Sequence, residues 1–557
     1  MCALLNHKFI SYELLEFLGL RSYLPPFGQI MQRLAKYGLV ETRVSQNRKV
    51  TCSFSAVLHQ HIRQSIKYPS PLVSKVAGLL AQKVPRSSEN DQRRVLDLLG
   101  PHAETLMLSL MDKKKIPLPK REDIDNMERI ASLLRLRGDD PKAIELYGHC
   151  YQLATRFDQK QAEDPITDYT FPRLDPQRLA ELYNNMGLSS FNEGNFAFAK
   201  TCFGRAENVL REEKLTDSLT IIEVIVNNIW VHLTTEEYQE AYIVAQLSIA
   251  EFKPEDIRTK LLLEHASGVV HLEIGKTALG SGILAEALVQ ALQNPQVGKK
   301  CTYSIMHDSA IAYGYLKDWN RAVSLFEKAK VGRERFHGPD HRLTIETVAA
   351  LAMAYHGAGF PEQAKSSFRR ALAWQRDKLP PNHPDTLKTL QNFGIFKHDS
   401  GDFEGAMKAH RLAFEGLVEY DNRRGSVSWG RINAGVSLAI SLQHLSLFEK
   451  SEGLFKEASA WYDSKQISAI QRMTHQYTKT VYLMASMYED WGDRDQALRE
   501  YDRAEKLTHQ FEDETKNYWK RLASKAVLRL LLEKKREEGQ SGQIQDNLIF
   551  KVPTLRR

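Results

Sequence analysis

Three asparagines and one aspartate stand at a common offset in this 557-residue chain. Asn185, Asn227 and Asn392 each lie two residues before a position held by Gly187, Ile229 or Gly394, and Asp308 takes that place in a fourth segment. A primary amide donates and accepts hydrogen bonds at once, which suits it to pair with the backbone of an extended peptide. Lys388, Gln391, His398, His307 and Tyr315 are expected to share that surface, and together these residues are the candidate peptide-binding groove.

Other residues invite chemistry that their context does not support. Gly275-Lys276-Thr277 looks like the end of a phosphate loop, but GxxxxGK[ST] requires glycine at 270, where Val270 stands, and no strand precedes it. A nucleotide cofactor is not expected. His341 and His383 lie 42 residues apart in GPDH and NHPDT, without a further ligand-type residue at metal spacing. They are read as parts of capping turns, with Asp385 or Thr386 placed to cap the helix that follows. There is no HExxH and no GxSxG, and no carboxylate pair has an assignable role, so neither catalysis nor a metal is expected.

The elements that must carry these residues repeat. Ala199, Ala241, Ala322, Ala364 and Ala406 follow one another at 42, 81, 42 and 42 residues, and Ala497 lies 91 further on. A period of this size marks stacked helical hairpins, each unable to bury its apolar stripe alone. Small and large residues keep step with the alanines, as in Gly187, Gly194, Phe203 and Ala206, in Ala352, Gly359, Phe368 and Ala371, and in Ala485, Gly492, Tyr501 and Ala504. The same offsets place a first unit at Ala131, Gly138, Ala143 and Tyr147. Two units are irregular, because Gly280 and Ser451 replace the alanine. Nine repeats over residues 122–510 make the expected fold an all-α solenoid.

This pattern resembles the tetratricopeptide repeat (TPR), in which helix A carries the small residue and helix B the alanine. The resemblance implies a right-handed superhelix whose helices A line a concave groove, with an asparagine gripping the backbone amide of a bound peptide. Over most of its length the chain is similar to the carboxy-terminal part of fungal NB-ARC–tetratricopeptide proteins, which are relatives of NOD-like receptors. FGQIMQRLAKYGLVETR and CSFSAVLHQHIRQSI resemble the winged helix that ends their nucleotide-binding module, and LLGPHAETLM resembles the spacer. GPDHRLTIETVAALAMAYHGAGFPEQAKSSFRRAL and NHPDTLKTLQNFGIFKHDSGDFEGAMKAHRLAF resemble their kinesin-light-chain-like repeats. Such receptors hold ATP through a P-loop upstream of the winged helix. The sequence begins near where that module would end, which is compatible with a fragment, a mis-started gene or a separate adaptor.

Residues 1–67 read as helix, helix, β-hairpin and helix, the order of a winged-helix-like module. Its strands are expected at about 39–44 and 49–54, and strand is expected nowhere else. Residues 68–121 read as two spacer helices and the linker DKKKIPLPKR, with nuclear import as the lesser reading of its five basic residues. Residues 511–538 read as a capping helix and 539–557 as a mobile tail.

The net charge of +7 is unevenly placed: residues 1–121 hold nineteen Lys and Arg against eight Asp and Glu, a net +11, which leaves −4 for the rest. A DNA-gripping role would fall to Gln32, Arg33 and Lys36, too few for a recognition helix, so nucleic acid is not an expected partner. No apolar run reaches the roughly 18 residues of a membrane span. Five scattered cysteines fit a reducing compartment, with the cytosol expected and the nucleus as the alternative.

The expected function is a non-catalytic scaffold that holds a partner protein's peptide or helix in the groove. The alternatives are a receptor-like sensor remnant lacking its nucleotide-binding module and a winged-helix/TPR transcriptional regulator.

Overall fold

A computed structural model describes residues 10–11, 14, 24–37, 40–44, 50–54, 69–84, 92–111, 121–163, 175–215, 219–252, 256–464, 471–508 and 515–537. The chain divides into two compact units. Unit 1 comprises residues 1–266, 287–306 and 328–345, and unit 2 comprises residues 267–286, 307–327 and 346–557.

The expected hairpin is present as β2 (Val40–Val44) and β3 (Val50–Phe54), paired antiparallel from Val40↔Phe54 to Val44↔Val50. Strand is not confined to the hairpin, however. A two-residue strand, β1 (Ile10–Ser11), pairs with β3 through Ile10↔Cys52, giving the sheet order β1-β3-β2. Two residues show no usable periodicity, which is why this edge was invisible in the sequence. Helix α1 (Leu24–Lys36) precedes the hairpin. The expected closing helix at 56–66, the DKKKIPLPKR linker up to Lys120 and the tail at 539–557 lie outside the described residues, as does the expected first helix apart from Leu14.

From α2 (Pro69–Lys83) and α3 (Gln92–Leu110) onward the described residues are helical, and the helices pair in sequence. The pairs are α4 (Arg121–Arg137) with α5 (Asp140–Glu163), α6 (Pro176–Asn192) with α7 (Phe196–Glu212), and α8 (Leu219–Thr234) with α9 (Tyr238–Glu251). Next come α10 (Ile257–Glu273) with α11 (Thr277–Gln293), α12 (Lys299–Tyr315) with α13 (Trp319–Phe336), and α14 (Arg342–Gly357) with α15 (Pro361–Lys378). The series ends with α16 (Pro384–Asp399) and α17 (Phe403–Arg424), α18 (Trp429–His444) and α19 (Phe448–Asp463), α20 (Gln471–Trp491) and α21 (Arg494–Leu507), and then α22 (Thr515–Glu537). The structure is all-α apart from the sheet, with helices packed pairwise in the manner of a TPR solenoid.

One conformation marks the turn of each hairpin from α4–α5 to α20–α21. Gly138, Gly194, Gly275, Gly359, Gly401 and Gly492 have positive φ, and so do Glu236, Lys317 and Ser446 at the matching places. The next residue donates its N–H to the carbonyl five positions back, as Asn195 does to Ser190 and Asp402 to Lys397, both at 2.9 Å. This is the bonding of a helix stop whose left-handed residue is best supplied by glycine. Left-handed φ costs a side chain about 1–2 kcal/mol, offset by the extra chain entropy glycine loses on folding. Glu236→Gly, Lys317→Gly and Ser446→Gly should therefore each raise stability by about 0.5–1 kcal/mol, read as an upward shift in urea midpoint. Loss of stability in all three would refute the account.

Within a pair, the small residue of helix A receives a large one from helix B. A Cβ on Gly187 would lie 2.5 Å from Phe203 Cε1, and one on Gly394 would lie 2.2 Å from His410 Cδ2. The two irregular repeats keep this geometry by other means. A Cβ on Gly280 would meet Gly268 O at 2.7 Å, so the glycine lets the backbones of α10 and α11 approach more closely than alanine would. Ser451 spends its hydroxyl on Ala439 O at 2.8 Å, entirely inside the fold.

In unit 1 the core runs without a break from Leu14, Met31 and Val40 through Leu80, Leu99 and Leu106 to Leu134, Tyr147 and Met186. A polar link spans a longer range of sequence: Arg342 Nη1 donates to Asn192 Oδ1 at 2.6 Å, and Asn192 Nδ2 to Asp140 Oδ1 at 3.2 Å. In unit 2, Ala310, Ala322 and Phe326 pack with Leu351 and Ala354, and Ala352, Ala364 and Phe368 pack with Phe396.

Candidate peptide-binding face

In unit 1 the candidate face begins on α6 and α8. Asn227 Nδ2 donates to Asn184 Oδ1 at 2.8 Å, joining the two helices A side to side. Asn184 is 6% exposed, whereas Asn185, the residue singled out by its offset, is half-buried on the same helix. The amide pair is thus made by the neighbour of Asn185. One residue along a helix turns the side chain by about 100°, so Asn184 reaches sideways to the next repeat.

In unit 2 the candidate residues lie on α12 and α16. Asp308, Gln391 and Asn392 are half-buried, while Lys388 and Tyr315 are exposed. The Tyr315 hydroxyl donates to Glu273 Oε1 of α10 at 3.3 Å. His307 does not belong on this surface. It is 3% exposed and sets its ring edge-on against Phe326, so it is a core residue.

His398 stands in a cluster of rings and charge that the sequence reading missed. Asp399 lies 2.9 Å from His356 Nε2 and 3.4 Å from His398 Nδ1, and these two contacts, led by His356, hold its carboxyl well below the usual carboxylate range. The His398 ring meets Phe403 at 5.2 Å and His444 at 4.7 Å, and Phe403 stacks on His444 at 4.6 Å. Burial is the main force pushing the His444 imidazole down, and His398 adds to it. A signal for the cluster existed: His356 and His398 both stand four residues after the small residue of helix A, at Ala352 and Gly394.

The two histidines of the capping turns act as the caps themselves. His383 Nδ1 accepts from Asp385 N at 3.2 Å at the start of α16, and His341 Nδ1 accepts from Leu343 N at 3.2 Å at the start of α14. Asp385 and Thr386, the residues expected to cap, instead lie in the first turn of the helix. Burial pushes His341 down to about 4, with Arg333 next in effect, which keeps its ring neutral and able to accept. Gly275 forms the left-handed turn between α10 and α11, with Lys276 N donating to His271 O at 2.8 Å. Among the described residues no three His, Cys, Asp or Glu side chains are grouped to hold a metal ion, and no helix is long and apolar enough to cross a membrane. Gln32, Arg33 and Lys36 are exposed on α1.

Residues 301–377, nearly the whole of α12 to α15, match the family model of the tetratricopeptide repeat. Two helical hairpins of the chain thus match the tetratricopeptide repeat. The chain is similar to a Clustered mitochondria protein homolog of Aspergillus terreus, 24% identical over 192 residues, which are 34% of this chain. The match spans only 14% of that relative's length. Among solved structures, a Podosopora anserina putative kinesin light chain with nearly identical TPR-like repeats is similar at 16% identity and TM-score 0.32, over 36% of this chain and 92% of that one. A Rap protein complexed with Competence and Sporulation Factor is similar at 14% identity and TM-score 0.45, over 70% and 97%.

Proposed function

We propose that this chain is a non-catalytic TPR scaffold that holds an extended segment of a partner protein on the inner faces of its helices A. The observation that carries this reading is the hydrogen bond from Asn227 to Asn184, which sets α6 beside α8 and leaves Asn185 and Asn227 half-buried on those helices. An extended peptide offers a donor and an acceptor at each residue, and amides set at repeat spacing can meet both. Lys388, Gln391 and Asn392 offer the same polarity on α16. The compartment that suits this role is the cytosol.

The test uses a peptide selected from a displayed random library on the full chain, with affinity read by fluorescence anisotropy. A lost hydrogen bond costs about 0.5–1.5 kcal/mol, so Asn185→Ala should weaken binding roughly 2- to 13-fold. Adding Asn227→Ala should weaken it further, and should also lower stability, because Asn184 loses its partner. Unchanged affinity in the double variant would remove the groove from the account.

A second reading is a receptor-like sensor of NB-ARC–tetratricopeptide type, whose amino-terminal residues dock a nucleotide-binding module. Its support is the order of α1, β2 and β3, which is that of a winged helix from its second helix to its wing. Deletion of residues 1–67 should leave peptide affinity intact under the scaffold reading and should abolish only the capture of a nucleotide-binding partner under this one.

A further inference from the structure

The connection between α17 and α18, in unit 2, carries a hydroxyl in a setting that the sequence does not repeat. Arg423-Arg424-Gly425-Ser426-Val427 puts guanidiniums at the third and second places before Ser426 and an aliphatic side chain directly after it, and no other Ser or Thr follows two arginines at those places. Thr51, Ser132, Ser324 and Ser524 each follow a single arginine at the third place. Structure separates Ser426 from these four. Thr51 lies in β3, Ser132 in α4, Ser324 in α13 and Ser524 in α22. Two of their hydroxyls are also engaged, Ser132 Oγ with Glu128 O at 3.1 Å and Ser524 Oγ with Glu505 Oε1 at 2.8 Å. Within a helix, residues three apart share a face, so a cleft that reads successive side chains of an extended segment cannot engage them until the helix unwinds.

Ser426 instead lies between Gly425, the left-handed stop of α17 with φ of 71°, and Ser428, the N-cap of α18. It is exposed, its hydroxyl has no partner among the described residues, and Val427 beside it is 40% exposed. Ser428 is the opposite case. It is 9% exposed, its N–H and hydroxyl both donate to Asp421 Oδ2 at 2.9 and 3.0 Å, and its Oγ accepts from Arg431 N at 3.2 Å. The connection is thus pinned at Asp421 and Ser428 and open between them. Arg423 and Arg424 are exposed as well, the first paired with Glu419 one turn back and the second set 5.5 Å from the centre of the Tyr420 ring. They occupy the last turn of α17, where a helix frays, and Gly425 can leave its left-handed conformation without steric cost.

The side chains around the hydroxyl select the class of enzyme that would act on it. Two guanidiniums are met best by carboxylates, through two-pronged charge-assisted hydrogen bonds, and kinases choose substrates by such charge patterns. We propose that Ser426 is a phosphorylation site for a basophilic serine/threonine kinase, one whose substrate cleft is lined with carboxylates. Ser426 Oγ attacks the γ-phosphorus of ATP, the Oγ–P bond forms as the bond from that phosphorus to the β-phosphate oxygen breaks, ADP leaves, and the hydroxyl proton passes to the catalytic aspartate of the kinase. The phosphoserine carries about −1.5 to −2 charges at pH 7, which offsets the two positive charges of Arg423 and Arg424. It also stands two residues before the N-cap of α18, the end of a helix that favours an anion.

The test incubates the full chain, made in a bacterial host, with magnesium, ATP and the catalytic subunit of cyclic-AMP-dependent protein kinase as the basophilic probe. Intact mass follows the phosphate taken up, and tandem mass spectrometry locates it. One phosphate per chain, on Ser426, is expected. Ser426→Ala should abolish the uptake. Arg423→Ala with Arg424→Ala should slow it about tenfold or more, with an unchanged circular dichroism spectrum. If that variant loses its helical spectrum, Arg423→Gln with Arg424→Gln takes its place and should slow uptake to the same degree. A chain that takes up no phosphate overturns the proposal. So does phosphate that goes first to Ser428, Ser132, Ser324 or Ser524, or a rate that is the same with and without the two arginines.

Discussion

Replacing Phe368 with alanine should remove about 3–5 kcal/mol of stability from the central repeats, the cost typical of a buried aromatic truncated to a methyl group. Phe368 is fully buried on α15 and packs with Ala352 and Ala364 of its own repeat. It also meets Phe393 and Phe396 of α16, with ring centroids at 5.5 and 5.7 Å. The cavity would open on both sides of α15, at the contact inside one repeat and at the contact with the next. Stability in a repeat array is a sum of such nearest-neighbour terms, so the loss should be felt first by α14 to α17. Hydrogen exchange should show those amides opening at lower free energy, while the amides of α6 and α7, around the equivalent Phe203, keep their protection. Uniform loss along the whole chain would mean that the repeats unfold as one body and would contradict the local account. A cost under about 1 kcal/mol would mean that Phe393 and Phe396 collapse into the space.

The repeat architecture was legible because backbone sterics enforce it once per unit. A small residue under a large one and a left-handed turn residue recur wherever two helices must meet and reverse, and Gly187, Phe203 and Gly194 advertise both. The irregular units were harder to read, since Gly280 and Ser451 achieve the same approach by different contacts. The candidate face was less legible. Spacing fixes which turn of a helix a residue occupies, but not whether it looks sideways to the next repeat or outward. Asn185 and Asn184 are one residue apart, and it is the packing of α6 against α8 that decides that Asn184 pairs with Asn227. His307 was misplaced for the same reason, as a polar type does not reveal that Phe326 covers it. The ring cluster of His356, His398, Phe403 and His444 converges from four helices, and only the common offset of the first two marks it in the sequence.

Arg178 is the residue whose loss should most disturb the amino-terminal repeats. From the first turn of α6 it reaches back to α4, placing Nη1 2.6 Å from Asp125 Oδ1 and Nη2 3.1 Å from Glu128 Oε2. Burial pushes the Glu128 carboxyl above its ordinary value, Arg178 pulls it back, and Glu181 and Asp125 push it up again. Arg178→Met would leave two carboxylates without their common cation, at a cost of about 3 kcal/mol near neutral pH. The sign of the pH dependence follows from the raised carboxyl. A group that binds its proton more tightly in the folded state destabilises that state as pH rises through its folded pKa, and removing Arg178 raises this pKa further. The deficit of the variant should therefore be largest at neutral pH and should shrink as pH falls through the raised carboxyl pKa, because protonated Glu128 no longer needs the guanidinium. Arg178→Lys should recover about half of the loss, since it restores the charge without the two-pronged geometry. Urea titrations of the three proteins at several pH values provide the check, and a deficit that stays constant from about pH 7 to 5 would show that Arg178 acts by packing alone.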